Sequence, residues 1–232
     1  MNNWLSRTEL LIGKENIDKL VHATVAILGC GGVGSYAAEG LVRSGIGNII
    51  LIDNDVVDIT NINRQLIADT TTIGIPKVEV EKERLLKINP DLNITIYQEF
   101  FDSSNSDRIL KNYDYVVDAI DSVKSKIHLI EQCINRGIPI ISSMGTGNKL
   151  NPTELEVSDI SKTSVCPLAK VIRKELGKRG IKHLKVVYSK EIPKRNNNEE
   201  ELKRIPASIS FVPSVAGLII ASEVVKDIIK HE

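Results

Sequence analysis

Apolar and polar positions fall in two alternating rhythms. Five short apolar runs read as strands: Thr24–Leu28, Asn48–Ile52, Asn93–Tyr97, Tyr113–Ala119 and Ile138–Ser142. Between them lie segments with helical spacing, Val33–Ser44, Pro76–Ile88 and Ser122–Arg136. Pro76 stands in the first turn of its helix, and Gly45 and Gly137 stand just past the ends of theirs, where a left-handed residue stops a helix. Strands alternating with helices require right-handed crossovers. The predicted architecture is therefore α/β, a doubly wound, mostly parallel sheet with helices on both faces. After residue 150 the rhythm changes. Thr153–Val157 alternates like an edge strand, Pro167–Arg179 is helical with Gly180 behind it, and His183–Tyr188 reads as a further strand. Lys190–Lys203 is polar and has no core-forming pattern, which predicts a mobile loop over about 190–204. Pro213–Lys230 closes the chain as an amphipathic helix. We assign residues 1–150 to an α/β core with an N-terminal helix, and 151–232 to a C-terminal extension of the same domain.

Composition narrows the class. Apolar residues make up 42% and charged residues 26%, which excludes a mainly disordered chain. Cys30, Cys133 and Cys166 are too scattered for a disulfide framework, and with no CxxC pair a structural zinc site of the usual spacing is not expected. The stretch from Ile205 to Ile229 is broken by Pro206, Pro213, Glu223, Lys226 and Asp227, so it makes a poor membrane span. Free thiols and no visible export signal point to the cytoplasm. Net charge is zero, yet Lys162–Arg204 holds 13 Lys+Arg against 5 Asp+Glu. Taken alone, that bias reads as a solvated helix face and a polar loop.

The sharpest local feature is Gly29-Cys30-Gly31-Gly32-Val33-Gly34, followed by Ser35. It satisfies GxGxxG between a predicted strand and a predicted helix, the context the motif requires. Its glycines admit a phosphate close to the backbone, and the helix start offers free N–H groups. Asp53 lies 19 residues past Gly34 at the end of the next strand, where a ribose-binding acid belongs in a Rossmann-like fold. A dinucleotide dehydrogenase would share this turn. The residues beyond Asp53 argue against one: Arg64 and Lys77 are cations suited to a triphosphate, and Asp121, past the fourth strand, suits Mg²⁺ held against phosphate oxygens.

This combination resembles the ThiF/MoeB/HesA family, bacterial relatives of ubiquitin-activating enzymes, over most of residues 4–160. The resemblance implies ATP- and Mg²⁺-dependent adenylation of a carboxylate. It implies a nucleotide site of Gly29, Gly31, Gly32, Gly34, Ser35, Asp53, Asn61, Arg64, Lys77 and Asp121, with Asp121 next to the metal. It further implies that Arg7 reaches the ATP site of a partner subunit, and hence a homodimer. Arg43–Gly47, Asp53–Gln65, Asp118–Val123, Asp159–Thr163 and Ser208–Val224 are most similar to the branch that dehydrates N6-threonylcarbamoyladenosine beside the tRNA anticodon. A monovalent cation, Na⁺ or K⁺, and a sulfur-relay partner are left open by the likeness.

With tRNA as the implied partner, the basic segment gains meaning. Lys170, Arg173, Lys174, Lys178 and Arg179 recur at helical intervals, followed by Lys182 and Lys185, and are placed to track phosphates. Arg204–Ser208, where some members of that branch carry a cysteine, has none. Cys166 is then either a substitute or a buried bystander, while Cys133 and Cys30 read as packed. The competing functions are adenylation of a sulfur-carrier protein's C-terminal glycine, a NAD-dependent oxidoreductase, and an ATP-binding regulator.

Overall fold

The computed structural model describes residues 4–194 and 206–230. The chain begins with two short helices, α1 (Ser6–Ile12) and α2 (Lys14–His22), where the sequence predicted one. Gly13 separates them, with φ 84°. Then come β1 (Thr24–Leu28), α3 (Gly34–Ser44), β2 (Asn48–Ile52), α4 (Lys77–Ile88), β3 (Asn93–Tyr97) and a single-turn α5 (Ser106–Ile109). They are followed by β4 (Tyr115–Asp118), α6 (Val123–Asn135), β5 (Ile140–Ser143), β6 (Leu155–Asp159), α7 (Pro167–Lys178), β7 (Lys185–Ser189) and α8 (Phe211–Lys230).

The seven strands form one sheet in the order β3-β2-β1-β4-β5-β7-β6. All pair in parallel except β6, an edge strand antiparallel to β7. The two-residue period of the strands sorts the core into two layers. Val25, Ile27, Ile49, Leu51, Val117 and Val187 face α3, α4 and α8. Ala26, Leu28, Ile52, Val116 and Val186 face α6 and α7. Leu28 registers with both Ile52 and Asp118, so β1, β2 and β4 end at one level. Strand order reverses at β1, between β2 and β4. That switch point is where ligands enter an open α/β sheet.

Several predicted boundaries shift, each for a local reason. The strand predicted at Thr153–Val157 begins at Leu155, because Asn151 accepts the Thr153 N–H and turns Pro152–Glu154 into a 3-10 turn. The strand predicted from His183 begins at Lys185, because the Leu184 carbonyl accepts the Ile160 N–H instead. Of the predicted 190–204 loop, residues 195–204 lie outside the described residues.

One buried group on α4 works against stability. Glu81 is fully buried, and neither carboxylate oxygen has a hydrogen-bond partner among the described residues. Burial pushes its pKa well above the ordinary value, and nearby Glu39 pushes it the same way. Folding thus favours the protonated form of Glu81. Its contribution is fully present below the unfolded pKa of about 4.3 and is lost as pH rises toward the folded value. Over that window the loss approaches about 1.4 kcal/mol per pH unit. Glu81→Gln should flatten this part of the pH profile, and Glu81→Met should raise stability at pH 8. Denaturant midpoints at pH 5 and pH 8 test this, and identical pH slopes in wild type and Glu81→Gln would refute it.

Candidate active site

A cleft of about 340 Å³ opens over the ends of β1, β2 and β4. Its floor is the glycine turn. Gly29 has φ 96°, and a Cβ there would lie 2.6 Å from the Ala119 carbonyl oxygen. A Cβ on Gly34 would lie 1.7 Å from the Gly29 carbonyl oxygen. These two glycines let the turn close on itself and on the β4 end. Gly29, Gly31 and Gly32 line the cleft. Gly34 and Ser35 do not. Ser35 Oγ donates to the Gly31 carbonyl at 2.7 Å and accepts the Leu66 N–H at 3.3 Å, tying the turn to the segment that carries Arg64. Here the Ser35 hydroxyl supports the turn from beneath.

Asp53 ends β2 and binds the turn from the side. Its two oxygens accept the Cys30 N–H at 2.6 Å and the Asp55 N–H at 2.8 Å. Burial raises its pKa, partly offset by those N–H groups and by Lys77. Each carboxylate oxygen keeps a second lone pair for a ligand hydroxyl. Asn61 was expected to touch nucleotide, and the structure places it underneath. It is buried, does not line the cleft, and accepts the Asp58 N–H at 3.1 Å. Its carbonyl accepts the Arg64 and Gln65 N–H groups, so Asn61 shapes the turn that presents them. Arg64 lines the cleft with Nη1 held by the Thr60 carbonyl and Asn63 Oδ1.

Lys77 opens α4 and points into the same cleft. Its side chain is 7% exposed, and its ammonium meets Asp55 Oδ2 at 2.8 Å. Asp55 was not singled out from the sequence, although the Asp53-Asn54-Asp55 spacing at the end of a strand was visible. Gln65, Phe100, Thr146 and Ser208 also line the cleft, and nothing in their local pattern marks them. Asp121 is exposed and lines the same cleft. The loop that carries it is braced from below. Asp118 accepts the Ile120 N–H at 3.1 Å and the Lys126 ammonium at 2.8 Å. Lys126 is fully buried and also donates to the Ser143 carbonyl at 3.0 Å and Ser142 Oγ at 3.3 Å, so all three of its protons are used.

For Mg²⁺, hard oxygen donors are the right chemistry, and one or two carboxylates beside phosphates are the usual set. Asp121 fits that role at the cleft edge. Among the described residues no group of three or more His, Cys, Asp or Glu could hold a metal without such a ligand. Arg7 is exposed on α1 and lies outside the cleft of its own chain. Trp4, Leu10 and Leu11 near it are exposed by 49, 89 and 84%. All three thiols are free and buried, Cys166 among them.

The expected phosphate track is corrected at two positions. Arg173 turns inward, and Nη1 donates to the Thr163 carbonyl at 2.9 Å and to Thr163 Oγ1 at 2.6 Å. Lys185 sits on β7 and meets Glu223 at 2.6 Å and Asp227 at 2.8 Å on α8. Strand alternation turns it to that face. Lys170, Lys174 and Lys182 stay exposed, as do Lys178 and Arg179, both paired with Glu175.

Comparison with known proteins agrees with this geometry. The sequence profile of the ThiF family matches residues 5–232. Over 244 aligned residues the chain is 47% identical to the tRNA threonylcarbamoyladenosine dehydratase of Bacillus subtilis strain 168, covering 99% of this chain and 96% of that protein. The Escherichia coli K12 protein of the same name is 41% identical over 170 residues, 73% of this chain and 63% of its own length. The crystal structure of E. coli tRNA N6-threonylcarbamoyladenosine dehydratase, TcdA, in complex with ATP matches at TM-score 0.89 and 33% identity, covering 97% of this chain and 93% of that one. E. coli MccB with ATP matches at TM-score 0.70 and 25% identity, covering all of this chain and 64% of that one. The profile runs from the first helix to the end of the chain through every element that builds the cleft, and the chain belongs to the ThiF family.

Proposed function

We propose that this chain is an ATP-dependent dehydratase that adenylates the carboxylate of N6-threonylcarbamoyladenosine in tRNA and cyclises it. The observation that carries this reading is the 47% identity to the B. subtilis dehydratase along nearly the whole of both chains. ATP lies over Gly29, Gly31 and Gly32 with its ribose hydroxyls on Asp53. Arg64 and Lys77 face the phosphates. Asp121 would hold Mg²⁺, which supplies further positive charge against the phosphate oxygens when bound.

The threonyl carboxylate oxygen bonds to the α-phosphorus as the bond to the β-phosphate bridge breaks, and pyrophosphate leaves. Negative charge spreads over phosphoryl oxygens in that transition state, so cations already fixed beside them stabilise it more than the ground state. The carbamoyl group of the same side chain then attacks the activated carboxyl carbon and gives up a proton, and AMP departs. The net change is loss of one water from the nucleoside as ATP becomes AMP and pyrophosphate. Ring closure is intramolecular and draws on high effective concentration, so no protein thiol is needed. That agrees with three buried cysteines.

Two copies act together in this reading. The exposed Trp4, Leu10 and Leu11 are covered by the second copy, which brings Arg7 to its neighbour's cleft. Lys170, Lys174, Lys178, Arg179 and Lys182 follow the tRNA backbone and give it salt-sensitive affinity. Incubation with ATP, Mg²⁺ and threonylcarbamoylated tRNA, with mass analysis of the nucleoside, is the test. The expected result is loss of one water with one AMP formed per nucleoside. No mass change, together with pyrophosphate exchange that depends on a sulfur-carrier protein, would overturn the reading.

A further inference from the structure

A second cavity of about 270 Å³ lies beside the nucleotide cleft, between α6, the loop after β3 and the end of α7. The two spaces share Phe100 and Ser125, so one thin partition divides them. Phe100 is 51% exposed and presents its ring on that partition. His128 stands in the wall against Phe101, ring centroids 5.8 Å apart. Its Nε2 is buried with no hydrogen-bond partner among the described residues, so none of them makes use of that nitrogen. Lys124 and Arg179 bring two cations to the cavity. Arg179 is braced there by the Glu175 carbonyl at 2.7 Å and Glu131 at 3.7 Å. It caps the end of α7, and no α7 residue lines the catalytic cleft.

We infer that this cavity is the subsite for the RNA nucleotide adjoining the reacting nucleoside, its base against Phe100 and His128 and its phosphate between Lys124 and Arg179. The inference rests on tRNA being the substrate. The chemistry selects a nucleotide over other ligands. An aromatic face, an imidazole and the hydroxyls of Ser103 and Ser122 suit a planar base with a hydrogen-bonding edge. Cations interspersed with Asp102 and Glu131 do not make a bare anion hole, and two carboxylates there do not make a metal site. Continuity with the cleft allows one splayed strand to fill both spaces, with the reacting base in one and its neighbour in the other. A free nucleoside would fill only the first, so this subsite would make the enzyme prefer RNA over the modified nucleoside alone.

The test measures binding of a fluorescent anticodon stem-loop RNA to the whole protein. His128→Leu and the double variant Lys124→Ala/Arg179→Ala are compared with wild type, with ATP binding as the folding control. His128→Leu removes no hydrogen bond from Nε2, so it should fold with undiminished melting temperature. We expect RNA affinity to fall tenfold or more in both variants. A 4-thiouridine next to the target adenosine should crosslink to peptides containing Phe100 or His128. Equal RNA affinity in all three proteins, or crosslinks confined to other surfaces, would overturn the subsite. If wild type dehydrates the modified tRNA while the variants bind RNA as it does, the subsite fails and the reaction stands. If the variants lose RNA affinity but wild type performs no dehydration, the reaction fails and the cavity stands as an RNA-binding site without a reacting neighbour.

Discussion

Replacing Lys77 by alanine is expected to lower the rate of AMP formation by about 10²–10³-fold, the usual effect of deleting one fixed donor from an oxyanion-type site. The size follows from where the ammonium sits. The side chain is 7% exposed, at the wall of a cleft where charge is poorly screened. Among the described residues it meets Asp55, and an ammonium has three protons to give. It can keep Asp55 and still meet a phosphate oxygen. Lys77→Arg keeps the charge but replaces a point charge with a longer planar fork, so it should recover only part of the rate. Asp55 is more than half exposed, so losing its partner should not unfold the protein. Single-turnover AMP formation, measured with ATP affinity on the same samples, separates the two effects. A Lys77→Ala rate within tenfold of wild type would remove Lys77 from the chemistry.

The second large effect is on stability. Lys126→Met should cost about 3–5 kcal/mol, because it strands the fully buried Asp118 carboxylate without its cation. The Asp118 side chain would still accept from Ser142 Oγ and the Ile120 N–H, which cannot neutralise it. Replacing both members, Lys126→Met with Asp118→Leu, should cost much less than the single change, since no uncompensated charge is left. Equilibrium urea unfolding of wild type, Lys126→Met, Asp118→Leu and the double variant measures this. A double variant as unstable as the sum of its singles would mean that the pair does not act as a pair. The same network holds Ile120, next to Asp121, so Lys126→Met should also weaken ATP binding where the fold survives.

The core strands were readable because β1, β2 and β4 are continuous apolar runs and their period needs no distant information. The glycine turn was readable because strand, glycines and helix start are contiguous. Asp53, Arg64, Lys77 and Asp121 were found by their positions after particular strands and turns, and all four do line one cleft. Asn61 and Ser35 occur in the same motifs but lie beneath the surface they support. Spacing finds the segment and does not say which way a short side chain turns. Arg173 and Lys185 show the same limit for charge. Helical interval placed Arg173 beside its basic neighbours, yet it reaches into the Ile160–Thr163 turn. Lys185 looked like one more cation until α8, some 40 residues later, supplied Glu223 and Asp227. Lys126 gave no signal at all, because a lysine amid apolar helix positions usually lies on a helix edge with its head in water.

By itself the order of residues determined the alternation of strands and helices, the phosphate turn and the set of groups suited to ATP. These depend on neighbours within one element, where backbone geometry and period decide the outcome. Only the tertiary structure decided which cations remain free, which carboxylates are neutralised and where a second cavity opens beside the first. Those outcomes depend on charges and volumes brought together from α6, α7, α8 and the loops around them, and burial changes the energy of a charge far more than its place in the sequence does.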